Sequence, residues 1–199
     1  CKSNHQLYLE KAPYAEELLY SDLPWMNAVL GDTYFIEGNK GKAKRKLYVQ
    51  SSPVPMEVTI PESKLKFDAG KPGAALKIKG ELGREGRFQV YAIEHRISNQ
   101  SWDIFEEQIG VVDHVNKNKR LIHFMISRAI DGVINFSDLP EEFKQGDAIS
   151  LRLAKYTSGQ GTRYRVLTSS KTSKSIPSSI LKSFSDDVRE ENGMGFTDE

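Results

Sequence analysis

Five cations fall within seven positions, at Lys40, Lys42, Lys44, Arg45 and Lys46, separated only by Gly41 and Ala43. On a hairpin loop such a cluster can engage several phosphates at once, with an affinity that falls as salt is raised. The same composition also suits a loop whose charge only keeps it solvated. The four histidines, His5, His95, His114 and His123, lack the spacing that gathers metal ligands on one turn or helix. No Gly-x-Ser-x-Gly elbow and no Gly-x-x-x-x-Gly-Lys-Ser/Thr phosphate loop occurs, and Gly159-Gln160-Gly161-Thr162 falls between predicted strands with no helix to follow. The carboxylate pairs Glu106-Glu107 and Glu141-Glu142 are adjacent in sequence, as in solvated loops. The expectation is a protein that is not an enzyme, with no metal and no cofactor.

The balance of 28 Lys+Arg against 27 Asp+Glu hides an uneven distribution. Residues 25–96 hold thirteen basic and eight acidic side chains, a net +5, and residues 108–170 hold nine and six, a net +3. Residues 184–199 carry Arg189 against six carboxylates, a net −5. Two mildly basic bodies with an acidic end permit a polyanion partner without requiring one. With 38% apolar residues the chain has enough for a packed core. No stretch approaches the roughly 20 apolar residues of a membrane span. The single cysteine, Cys1, rules out an internal disulfide framework and points to a reducing compartment, the cytoplasm. A chain beginning with Cys also fits a lipoprotein whose signal peptide was removed, or a piece of a longer protein.

These side chains must be positioned by short strands. Residues 1–24 read as an N-terminal helical segment that starts near Ala12, with Pro13 in its first turn and Leu18 and Leu19 on an apolar stripe. In residues 25–96, strands are predicted at 32–37, 46–50, 56–60, 74–81 and 86–93, split by turns such as Gly38-Asn39-Lys40-Gly41. Tyr34, Tyr48 and Tyr91 fall on these strands and suit stacking platforms or a barrel rim. Residues 97–107 form a polar connector. In residues 108–170, five more strands are predicted at 109–115, 120–127, 132–136, 147–156 and 162–169. Residues 171–199 read as a mobile Ser/Lys linker and an acidic tail, with the apolar run 180–184 a strand-like start of a further domain. The predicted fold is mostly β: tandem small five-stranded barrels after a short helix.

The second body holds Gly110-Val111-Val112-Asp113-His114-Val115-Asn116-Lys117-Asn118-Lys119-Arg120-Leu121-Ile122-His123-Phe124, then Asp131-Gly132-Val133-Ile134-Asn135-Phe136-Ser137-Asp138-Leu139, then Phe143-Lys144-Gln145-Gly146-Asp147-Ala148-Ile149-Ser150-Leu151. In order and spacing these elements resemble the first four strands of cold-shock and S1-type OB-fold domains; the first body is similar only in outline. The resemblance implies that the second and third strands present stacking platforms to bases of single-stranded RNA or DNA. By position these are His114, Leu121, His123, Val133, Asn135 and Phe136, with Lys119 in the basic turn and Arg120 able to lie flat on a base. Leu121 and Val133 stand where the family carries rings.

Strand alternation gives an independent reading. Ile122, Phe124 and Ile126 share the better core face, which sends Leu121, His123 and Met125 outward. The expected function is a non-enzymatic, single-stranded nucleic-acid-binding module of a larger protein, with RNA the favoured ligand. The binding residues would be His114, Lys119, Arg120, His123, Asn135 and Phe136, with Lys40, Lys42, Lys44, Arg45 and Lys46. The alternative is a protein-interaction or scaffold module with no affinity for nucleic acid.

Overall fold

The computed structural model describes residues 20–35, 43–65, 71–83, 87–95, 102–139 and 142–182. The predicted N-terminal helix lies outside them up to residue 19, and residues 20–22 form a turn. The described chain is mostly β, with ten strands, three 3-10 turns and one short α-helical stretch at 178–182. Among the described residues no helix is long and apolar enough to cross a membrane. The chain divides into two compact units, one of residues 1–50 and 58–101, the other of residues 51–57 and 102–199.

The first unit contains β1 (Met26–Phe35), β2 (Ala43–Val49), most of β3 (Met56–Pro61), β4 (Ala75–Leu82) and β5 (Phe88–His95). Their hydrogen-bonded order is β5-β4-β1-β2-β3. β1 starts at Met26, six residues before the predicted Asp32, because Ala28, Val29 and Leu30 are all fully buried and show no alternation to read. Leu47, Val49, Ile60, Leu76, Ile78 and Val90 complete this core.

The second unit contains β6 (Gln108–Asn116), β7 (Leu121–Ser127), β8 (Ile130–Asn135), β9 (Ala148–Ser158) and β10 (Gly161–Lys171). Their order is β10-β9-β6-β7-β8. Counted within each unit, both sheets therefore run fifth, fourth, first, second, third. Closed barrels were expected, but the third and fifth strands are not hydrogen-bonded to each other in either unit among the described residues, so each sheet stays open. In the second unit the reason is visible: β8 is only six residues long, and side chains from β8 and β10 line a groove between them.

The core of the second unit gathers Val112, Ile122, Phe124, Ile134, Ile149, Leu151 and Leu153. Each such side chain contributes about 1.5–3 kcal/mol on burial. Ile122 and Phe124 point inward as the alternation predicts. Phe124 needs Gly132 opposite it, since a Cβ there would stand 2.8 Å from its ring. Met125, expected outside, is also buried, packed with Val111, Ile176 and Ile180 in a separate cluster. The segment after β10 is thus docked on the sheet instead of forming a free linker, and its apolar run starts a helix in place of a strand. Lys171 pairs with Asp147 at 3.0 Å and Lys174 with Glu107 at 2.7 Å.

Those ion pairs carry a pH signature. The hydrogen bond from Lys174 holds the Glu107 carboxyl below its ordinary value. The backbone N–H of Lys144, then the Lys171 ammonium, does the same for Asp147. A carboxylate lowered in the folded state contributes stability above its ordinary titration range, and that stability is lost as pH falls through the lowered value. Urea midpoints measured from neutral pH down to about pH 2 should therefore fall below the ordinary carboxylate range of about 4. Lys174→Ala should show a shallower fall than the parent. Gly132→Val should cost about 1–3 kcal/mol in the same assay, because the added methyls strike the Phe124 ring.

Candidate nucleic-acid interface

Alternation on β7 places Leu121, His123 and Met125 on the face away from the core, opposite Asn135, Val133 and Asp131 of β8. An irregularity in β6 between Val112 and His114 brings His114 into register with His123. Their rings lie 5.8 Å apart, tilted by 53°. His114 is exposed, His123 half-buried and Val133 49% exposed, so an aromatic and aliphatic row opens to solvent. At the end of this row the β6–β7 turn carries Lys119 and Arg120, both exposed. The Lys119 N–H donates to Asn116 Oδ1 at 2.9 Å. Arg120 adopts the left-handed region, φ 54°, and its carbonyl accepts from the Phe136 N–H at 2.9 Å.

Beside the row lies a groove of about 650 Å³, floored by His123, Gly132 and Val133 and walled by Tyr156, Arg163 and Tyr164 of the β9–β10 hairpin. Tyr164 also packs against the core, which fixes its ring. The Arg165 guanidinium sits 5.0 Å from the centre of the Tyr156 ring and pairs with Glu57. Arg163 donates to Gln160 Oε1 at 2.8 Å on the hairpin tip. Two rings, an imidazole and a guanidinium around one groove suit a flat heterocycle with a phosphate beside it. Asp131 adds one negative charge to the lining.

The structure brings together His114, His123, Asn135, Lys119 and Arg120 of the predicted residues. Phe136 is set apart: it has the parity of Gly132 and Ile134, whose positions face the core, and at the start of a 3-10 turn it packs half-buried against that core. The cation cluster is corrected as well. Lys44, Arg45 and Lys46 lie on β2 and not in a loop; Lys40 and Lys42 lie outside the described residues. Arg45 is buried, with its Nε donating to the Gly31 carbonyl at 3.2 Å and its guanidinium paired with Glu62 at 3.2 Å, so it is committed to holding the first unit. Tyr48 is buried, and Tyr91 stacks on Tyr20 at 3.7 Å. Sequence reading missed Tyr156, Arg163 and Tyr164. Their signal was the Tyr and Arg pattern flanking the turn Ser158-Gly159-Gln160-Gly161. Among the described residues no group of three or more potential metal ligands is gathered.

Residues 102–166 match the family model described as S1/CSD-like domain 1 of the TOTE conflict systems. At the level of class, this supports an S1/CSD-like OB-fold nucleic-acid-binding domain in the second unit. No curated protein matches the chain. Among solved structures, one described as "p202 HIN1 in complex with 12-mer dsDNA" has 11% identity and a TM-score of 0.28, covering 71% of this chain and 87% of its own. Another, "Molecular basis for abrogation of activation of pro-inflammatory cytokines", has 11% identity and a TM-score of 0.27, covering 71% and 88%. Likenesses at those scores do not bear on the function of this chain.

The burial of Arg45 gives a direct test. Arg45→Ala should lower stability by about 1–3 kcal/mol through loss of a charged hydrogen-bond network, read from denaturant unfolding, while leaving polyanion affinity unchanged.

Proposed function

We propose that the second unit binds single-stranded nucleic acid, RNA in preference to DNA, without catalysing a reaction. The observation that carries this reading is the groove between β8 and the β9–β10 hairpin, with Tyr156, Tyr164, His123 and Arg163 converging on it. In an OB fold the outward face of the second and third strands and the loop joining the fourth and fifth are where oligonucleotides are held. β7, β8 and the β9–β10 tip occupy those places in the chain order. Bases stack on His114, His123 and Tyr156, while Lys119, Arg120 and Arg163 meet the phosphates. We further propose that the first unit, about residues 25–96, is a second OB-like domain with an open sheet, in support of which it has the same strand order. Residues 97–107 would connect it to the OB-like domain of residues 108–170, within a longer, cytoplasmic protein.

Fluorescence anisotropy with labelled oligo-U and mixed-sequence single-stranded RNA and DNA tests the proposal at low and high salt. Affinity should fall as salt rises. His123→Ala and Tyr156→Ala should each weaken binding about five- to 150-fold, the loss of one stacked base. Stronger binding of RNA than of the matching DNA would support the preference. No binding at low salt would sink the reading and turn attention to a protein partner.

A further inference from the structure

The outward row of β7 does not stop at His123. Met125 lies on the same face, one side chain further along, with Val111 beside it on β6, so the sheet offers a continuous apolar track past the histidine pair. That continuation is covered. Ile176 and Ile180 lie on it, leaving Val111 1% and Met125 8% exposed. The covering segment is tied down on its polar side, where Lys174 donates to Glu107. Asp131, opposite Met125 in register, adds a negative charge at the point where the cover begins. Past residue 182 the sequence turns strongly acidic, with six carboxylates and one arginine in 184–199.

We propose that residues 172–182 are an end-stop for the nucleic-acid track. They hold a bound strand to the span between the Lys119–Arg120 turn and the β9–β10 groove, and so set the number of nucleotides the unit covers. The inference rests on the binding reading above and adds a determinant of site size. The polar boundary acts in the same sense as the apolar cover, since phosphates approaching Met125 meet the Asp131 carboxylate. A strap serving only to shield apolar surface would leave the footprint indifferent to its removal.

The test is the affinity of oligo-U of increasing length, from about 3 to 14 nucleotides, for the full chain and for Ile176→Ser/Ile180→Ser. OB folds cover about 4–16 nucleotides, so this series spans most of the range. In the parent, affinity should level off at a defined length. In the double variant it should go on rising over about two further nucleotides, roughly tenfold for each added stacked base. Because loss of two isoleucines can unsettle the fold, Lys174→Ala is measured alongside. It releases the polar tether without touching the core and should lengthen the footprint in the same direction by less. The same plateau length in all three proteins overturns the end-stop while leaving the binding reading intact. Absence of binding in the parent at every length removes both.

Discussion

The ring of Phe124 lying over Gly132 is the contact on which the second unit turns. A ring this large fits on the inner face only where the opposite strand has no Cβ, and that pairing fixes the register of β7 against β8. In a pleated sheet, once one pair is assigned to the core, its neighbours are assigned to the outside. His123 and Val133 face outward together for this reason, and the groove exists because they do. A slip of one residue would bury the imidazole and expose the ring. Chemistry on the outer face is thus inherited from packing on the inner one.

The β9–β10 hairpin supplies the other half of the site by a different route. Its strands are eleven residues each, pair along their length, and carry Tyr156, Arg163 and Tyr164 to the groove beside β8. Tyr164 belongs to both core and site, since its ring packs on the core and also walls the groove. The stacking surfaces are therefore built on sheet, while turns contribute the hairpin tip and the Lys119–Arg120 cations, and rigid placement of those surfaces follows from that.

Much of the second unit was legible in the sequence because the first half of β7 alternates and the turns are marked by Asn, Gly and Asp. The inward Ile122 and Phe124 and the outward His123 follow from period two alone. The inward Phe136 follows from it too, since it shares the parity of Ile134; only the family resemblance set its ring among the outward platforms. Arg45 was opaque: its neighbours Lys44 and Lys46 make it look like one more surface cation, and only the tertiary approach of Glu62 and the Gly31 carbonyl reveals a buried one. Met125 was read correctly as facing away from the core, yet it is buried, since burial there comes from a segment some fifty residues later in the chain. Sequence periodicity reports which way a side chain points. It does not report what arrives to cover it.

The left-handed Arg120 ties the β6–β7 turn to the start of the 3-10 turn through its carbonyl and the Phe136 N–H. The hairpin tip at Gly159 is built otherwise: a side chain added there would meet nothing within 4 Å. One end of the binding surface is thus stitched to the frame and the other stands clear of it. Over evolutionary time the two should diverge at different speeds, the stitched turn holding its length while the free tip accepts insertions and exchanges of residues without disturbing anything beneath it. Related chains that prefer different bases would then differ first at the tip.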